Sequence, residues 1–156
     1  MDRETFDGYV TRYRNGTALV LAALDGADEA DLDRRPAEPD AWSARMVVHH
    51  LADSETNSYL RIRRLLADAE PADLQGYDEA RWARTLHYDR PIAASLAVFV
   101  AVRESAGELL DRIGPADTER YGMHSESGRY TIGDWLRIYA GHAEAHAAQI
   151  TAARQG

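Results

Sequence analysis

Apolar side chains recur at intervals of three and four residues along four long segments of the chain, which is the period of an amphipathic helix. These segments run over roughly 3–24, 43–66, 91–113 and 131–150. Clean alternation of apolar and polar residues, which is typical of a half-buried strand, is hard to find anywhere. The chain is therefore predicted to be all-α, with helices of ~20 residues, each ~30 Å long, packed as a four-helix bundle.

Local signals mark where three of these helices begin. Ser43 is a favoured N-cap residue directly before the second apolar run, and Pro91 suits the first turn of the third helix. Thr131 and Asp134 form a capping box before the fourth helix. Because no internal repeat or linker indicates a second domain, residues 1–156 are predicted to form a single domain.

The connections between the helices differ in length and composition. The acidic stretch DGADEADLD and the proline-containing stretch RRPAEPDAW after it predict a loop. The long polar stretch PADLQGYDEARWARTLHYDRP joins the second helix to the third and can hold a short helical turn around Trp82. The stretch SESGRY is predicted to be the linker before the last helix. Loops as long as the second one are often functional in a compact domain.

Composition and charge exclude several kinds of protein. The chain contains no cysteine, which excludes disulfides, cysteine-ligated zinc, iron–sulfur clusters and an internal thiol nucleophile. Its 26 acidic and 18 basic residues give a formal charge of −8, which disfavours binding to nucleic acid or anionic lipid. No apolar run approaches the ~20 residues of a membrane span, and MDRETFDGYV does not resemble a signal sequence. We expect a soluble cytoplasmic protein.

The stretch GHAEAHAAQI places two histidines, His142 and His146, one turn apart on the same face of the last helix. Both extend the apolar seam of that helix. A buried imidazole without a partner costs about 1–3 kcal/mol, and two adjacent ones double the problem. A divalent ion would satisfy both rings by accepting a lone pair from each. The alternative is that both rings are half-exposed and bonded to water.

The second helix offers a third imidazole. His49 and His50 are consecutive and point ~100° apart, so only one of them can face this core. His50 lies on the apolar stripe and is the better inward ligand, whereas His49 lies nearer the edge. Three neutral nitrogen ligands are typical of catalytic zinc sites with an open coordination position, and nickel, cobalt, iron or manganese could also bind. His49 and His87 are predicted to be surface or loop residues.

Four groups of residues resemble a known family. WSARMVVHHLADSE, the connecting YDEARWA, HSESGRYTI and YAGHAEAHAAQI occur in an order and spacing similar to the DinB-like superfamily. The resemblance is to its YfiT-type branch of metal-dependent hydrolases and thiol S-transferases, and it covers most of residues 40–152. It implies an up-and-down-type four-helix bundle, often a homodimer, that binds a divalent metal, nickel or zinc.

Carried over by position, the resemblance implies that His50, His142 and His146 bind the metal. It also implies a low-molecular-weight thiol cosubstrate such as bacillithiol or mycothiol. His124 matches a family position that would line the mouth of the pocket, with packing in a loop as the alternative. The chain departs from its relatives at Ala145 and Gln149, where they often have histidine, although neither change removes a ligand.

The metal's open position allows more than one chemistry. Bound water could become a hydroxide, or a bound thiol could become a thiolate. Asp53, three residues after His50, is a weak candidate to support the site, and Glu55 is the other nearby carboxylate. Asn57, Arg61 and Tyr139 could meet a substrate, and the sequence does not place them relative to the site.

The sequence is therefore compatible with three functions, and it assigns no catalytic residue. The first is a metal-dependent enzyme that activates a small thiol and transfers it to a small-molecule electrophile. The second is a metal-dependent hydrolase of a small molecule. The third is a non-catalytic, stress-related dimeric bundle that binds metal. No nucleic acid or membrane partner is expected for any of them.

Overall fold

Four long helices form the body of the protein, as the apolar periodicity predicts. The computed structural model describes residues 1–38 and 40–155. Its long helices are α1 (Arg3–Leu24), α3 (Ala44–Ala67), α5 (Ala93–Leu110) and α6 (Ile132–Gln155). Helix α1 packs along α6, and α3 packs against both α5 and α6. None of the described helices combines the length and apolar character that a membrane-spanning segment requires.

The predicted helix starts agree with the structure to within two residues. Ser43 caps α3 by accepting a hydrogen bond from the amide of Met46 at 3.3 Å. At α6 the capping box is formed, because the Asp134 amide donates to Thr131 Oγ1 at 3.0 Å and the Asp134 carboxylate accepts from Thr131. Helix α5 begins at Ala93, two residues after Pro91.

Two short helices occupy the connections. The turn predicted around Trp82 is the helix α4 (Glu79–Thr85). The stretch DGADEADLD was predicted to be a loop, and this is wrong in part, because it contains the helix α2 (Glu29–Asp33). Asp28 caps α2, and Leu32 is buried against the core, so capping and burial stabilise a helix too short to show periodicity. Pro39, which belongs to the stretch RRPAEPDAW predicted to be a loop, lies outside the described residues.

A small sheet, which the sequence pattern does not predict, closes one end of the bundle. Its strands are β1 (Ala72–Leu74), β2 (Tyr121–His124) and β3 (Gly128–Thr131), in the order β1-β2-β3. Strand β1 runs parallel to β2, and β3 antiparallel to it. The linker predicted at SESGRY is therefore largely a hairpin turn and strand. Strands of three and four residues are too short to establish an alternating pattern.

The buried side chains form two hydrophobic clusters along the bundle. The cluster nearer the sheet includes Phe6, Val10, Tyr13, Ile62, Leu65, Trp135 and Leu136. The other includes Val20, Val47, Leu51, Phe99, Ala147 and Ile150. Between these two sets, each long helix contributes a small or polar residue: Gly16 from α1, Glu55 from α3, Arg103 from α5 and His142 from α6. We call these four residues the polar layer.

Candidate metal centre

Helices α3 and α6 bring three histidines together, as predicted from their spacing. One ring nitrogen from each of His50, His142 and His146 lies within 4.8 Å of the others. The ring centroids are 4.5 Å apart for His142 and His146, and 4.8 Å apart for His50 and His146. The i,i+4 pair on α6 and the inward face of α3 therefore define one site.

Burial keeps two of the three rings neutral. His50 is 2% exposed, and burial, with smaller effects of the neighbouring His146 and His142, lowers its pKa to about 3. Burial and the neighbouring His142 lower the pKa of His146 to about 4. A neutral imidazole offers the lone pair that a metal needs. Near neutral pH these two rings therefore need not lose a proton before they bind a metal ion.

The remaining nitrogens of the group are unequally supported. His146 Nδ1 lies 2.7 Å from Gln149 Oε1, which suits an Nδ1–H donor and leaves the Nε2 lone pair free. Among the described residues, the buried Nδ1 atoms of His50 and His142 have no hydrogen-bond partner. Three converging imidazoles, with a buried and unpartnered Nδ1 on His50, fit a divalent cation that accepts nitrogen ligands.

The group is accessible from solvent through a pocket. This pocket has a volume of about 500 Å³, and Trp42, Glu79 and Gln149 line it together with the three histidines. The Trp42 ring packs on His50 with the ring centroids 5.1 Å apart. A larger cavity of about 860 Å³ shares Trp42 and Asp40 with this pocket. A small molecule could therefore approach the histidines beside an aromatic wall.

The two carboxylates near His50 in sequence have different surroundings. Asp53 is half-buried, and its carboxylate accepts a hydrogen bond from Tyr88 Oη at 2.5 Å. Burial, followed by this bond to Asp53, raises the pKa of Tyr88. Glu55 is completely buried, and its Oε1 lies 3.9 Å from His142 Nδ1. Among the described carboxylates, only Glu55 comes within 4.0 Å of a nitrogen in the histidine group.

The prediction that His49 is a surface residue is wrong. Its ring is completely buried, with Nδ1 2.8 Å from Ser95 Oγ and Nε2 2.9 Å from the carbonyl oxygen of Arg90. Burial lowers the pKa of His49. The ring therefore ties α3 to the start of α5, on a different side of α3 from His50. Periodicity missed it because α3 is buried on more than one side near its start.

The other two histidines lie away from the group. His87 is exposed, as predicted, in a left-handed conformation with φ of 54°. His124 lies half-buried on β2, with its ring centroid 5.8 Å from that of Tyr130. It does not line the pocket at the histidine group. The expectation that His124 lines the mouth of the pocket is therefore wrong, and the alternative, a packing role, agrees with its contact with Tyr130.

The residues left unplaced by the sequence form contacts within the protein. Arg61 Nη1 donates to Tyr139 Oη at 3.2 Å, and the Tyr139 ring packs against His142 with centroids 5.4 Å apart. The side-chain amide of Asn57 donates to the carbonyl oxygen of Asp53. Tyr139 thus contacts a member of the histidine group, whereas Asn57 serves its own helix.

Comparisons with known proteins agree on a family. The model of the DinB superfamily matches residues 12–150. A protein of Oceanobacillus iheyensis named "Putative metal-dependent hydrolase" is 40% identical over 110 residues, which cover 70% of this chain and 63% of that protein. A protein of Bacillus mycoides with the same descriptive name is 30% identical over 152 residues, covering 97% of this chain and 87% of the relative. The chain thus spans less than two thirds of the first relative's length.

Two solved structures share the fold. YfiT from Bacillus subtilis, described as a probable metal-dependent hydrolase with an unusual four-helix bundle topology, is 26% identical with a TM-score of 0.86. That match covers 99% of this chain and 89% of YfiT. The four-helix bundle protein TT2238 is 25% identical with a TM-score of 0.63, over 94% of this chain and 98% of TT2238. The predicted four-helix bundle is confirmed.

Proposed function

The chain belongs to the DinB superfamily, and from that premise we propose that it is a metal-dependent enzyme that activates a low-molecular-weight thiol and transfers it to a small molecule. The observation that carries the proposal is the convergence of His50, His142 and His146 in the lining of one pocket. We expect zinc or nickel, because a set of three imidazole nitrogens suits both ions.

Different residues of the pocket would bind the metal ion and contact the substrate. The three histidines would hold the ion, and Gln149 would orient the His146 ring through the bond to Nδ1. Trp42 forms an apolar wall beside His50, which suits the carbon skeleton of a substrate. A divalent ion held there would lower the pKa of a water or thiol bound to it, so that a thiol could lose its proton to solvent without a protein base.

Two features of the chain favour thiol transfer. The chain has no cysteine, so a sulfur nucleophile must come from a cosubstrate, for which bacillithiol and mycothiol are the candidates. In addition, the carboxylates of Asp53 and Glu55 are already engaged by Tyr88 and Arg103. A reaction that requires no proton transfer to Asp53 or Glu55 is compatible with this arrangement.

Hydrolysis is the second candidate, and a specific residue favours it. Glu79, at the start of α4, lines the pocket and is exposed, so its carboxylate is free to accept a proton from an attacking water. The names of the two bacterial relatives also describe hydrolases. The two candidates differ in one requirement, which is the added thiol.

The metal site is tested by metal analysis of the purified protein beside three variants, His50→Ala, His142→Ala and His146→Ala. We expect one divalent ion per chain in the wild type and a large loss in each variant. His87→Ala is the matched control, because His87 is exposed and outside the group. Full occupancy in all three site variants would contradict the proposed site.

The reaction is tested with metal-loaded protein and a panel of small electrophiles and esters, with and without bacillithiol or mycothiol. Turnover that requires the thiol supports transfer, and turnover in its absence supports hydrolysis. No turnover under either condition, with metal bound, favours the non-catalytic bundle over both enzymes.

The family resemblance also implies a homodimer. Light scattering of the purified protein measures its mass, and a monomeric mass would contradict the proposed homodimer.

A further inference from the structure

The polar layer contains a fully buried ion pair. Arg103 Nη1 donates to Glu55 Oε1 at 2.5 Å, and the side chains are 1% and 0% exposed. Tyr13 Oη lies 3.5 Å from Glu55 Oε2, while Arg103 also donates to the carbonyl oxygen of Tyr13. The Arg103 guanidinium lies 3.9 Å from the centre of the Tyr13 ring. These contacts fix the Glu55 carboxylate between α1, α3 and α5.

Stability alone is a weak explanation for such a pair. Removing two charges from water carries a large desolvation penalty, and apolar residues of similar volume often stabilise a core equally well or better. The same layer has hydrophobic clusters on both sides, so apolar side chains would have neighbours to pack against. A role toward a neighbouring residue therefore accounts for the buried Glu55–Arg103 pair better than stability does.

The neighbour of this ion pair on α6 is His142. Its Nδ1 is 3.9 Å from Glu55 Oε1, is buried, and has no hydrogen-bond partner among the described residues. A small movement of the ring would bring Nδ1 within hydrogen-bond distance of the carboxylate. Histidines that bind metals through one nitrogen usually donate the other N–H to a carboxylate, a carbonyl or water, which fixes the tautomer and the ring orientation.

We propose that Glu55, held by Arg103, is the positioning residue for His142: it accepts Nδ1–H and so directs the Nε2 lone pair of His142 into the metal group. This inference rests on the proposed function. Gln149 plays the corresponding part for His146, at 2.7 Å and without a charge. Two of the three ligands would then be oriented by specific partners, one ionic and one neutral.

The first test measures affinity for zinc or nickel by competition with a chromophoric chelator. The double variant Glu55→Met/Arg103→Met removes the acceptor and its counter-ion together, so no unpaired charge remains in the core. We expect its affinity to fall by roughly 10–100-fold, the usual range for loss of a partner behind a metal ligand. Circular dichroism verifies that the variant is folded.

Arg45→Met is the matched control. Arg45 is also buried and also pairs with carboxylates, those of Glu29 and Asp33, but it does not contact the histidine group. This variant loses a buried arginine without changing the partner of His142, so its metal affinity should equal that of the wild type. An equal loss of affinity in the control and the double variant would assign the effect to general destabilisation and overturn the proposal.

The second test needs no metal. Long-range ¹H–¹⁵N NMR of the metal-free protein reports which nitrogen of His142 carries the proton, and we expect Nδ1–H in the wild type and loss of that preference in the double variant. An unchanged tautomer in the double variant overturns the role of Glu55.

The two proposals can fail separately. If the wild type binds metal through the histidines and the double variant binds it equally well, the role of Glu55 is wrong and the proposed site stands. If the wild type binds no metal there, the proposed function fails, and the NMR measurement still decides whether Glu55 orients His142.

Discussion

Gly16 controls how closely α1 can approach α6. A Cβ atom at this position would lie 2.8 Å from the Ala143 Cβ and 2.8 Å from Arg103 Nη2. Neither neighbour can retreat easily, because Ala143 is a helix residue in the core and Arg103 is held by Glu55. The absence of a side chain at Gly16 therefore lets the polar layer close beside His142.

We expect Gly16→Ala to lower the free energy of unfolding by about 1–3 kcal/mol, which is typical of an overpacked core. Gly8→Ala is the matched control on the same helix, because Gly8 is exposed and nothing lies within 4 Å of its added Cβ. That control should gain up to about 1 kcal/mol from helix propensity. Urea unfolding measures both, and a Gly16→Ala protein as stable as the control would refute the close-approach argument.

Which residues could be identified from sequence depends on what determines their position. His50, His142 and His146 could be identified, because helical geometry fixes which residues share a face and all three lie on apolar stripes. The contact between Glu55 and His142 could not, since it depends on how α3 meets α6. Arg103, which holds Glu55 from 48 positions further along the chain, gives no local signal either.

At the scale of elements, we expect the capping box of α6 to contribute to stability. Thr131→Ala removes the hydroxyl that accepts from the Asp134 amide at 3.0 Å, and we expect a loss of about 1 kcal/mol in the free energy of unfolding. Thr151→Ala on the same helix is the control, because that exposed hydroxyl only donates back to the Ala147 carbonyl. A loss of equal size in the control would show that the cap contributes nothing specific.

The same cap makes stability depend on pH. Burial alone would raise the pKa of Asp134, but hydrogen bonds from Thr131, together with Arg137, hold it below its usual value of 3.8. The carboxylate therefore stabilises the fold above that value, and the contribution is lost as the pH falls through the lowered pKa.

The pH effect is measured by comparing melting temperatures of the wild type and Asp134→Asn between pH 2 and pH 7. The wild type should be the more stable near pH 7, and the difference should shrink below the usual pKa of 3.8. A difference that stays constant over this range would mean that ionisation of Asp134 does not contribute.

The helices were predictable and the sheet was not, for a physical reason. A helix of about 20 residues repeats its apolar pattern over several turns, and capping residues mark its start. Strands β1 and β2 are held by pairing across distant segments, with Ala72 opposite Gly122, and neither segment contains enough residues to show a period. Helix α2 was missed similarly, since it depends on one cap and one buried leucine.

At the scale of the whole molecule, the histidine group joins two helices that are distant in sequence. His50 lies on α3 and the other two histidines of the group lie on α6, so an ion bound by all three would connect segments from both halves of the chain. Such a ligand set exists only in the folded protein. A metal that binds the folded state and not the unfolded state must raise the stability of the folded chain.

We expect zinc or nickel to raise the melting temperature of the metal-free wild type. At an ion concentration of about 100 times the Kd the gain is about 2.7 kcal/mol, which for a domain of this size corresponds to a rise of roughly 5–10 °C. The double variant His142→Ala/His146→Ala should show little change, because it retains only His50 from the group. Calcium, which prefers oxygen ligands, should leave the wild type unchanged. Differential scanning calorimetry distinguishes these cases, and an equal rise in the wild type and the double variant would place the stabilising ion somewhere other than the histidine group.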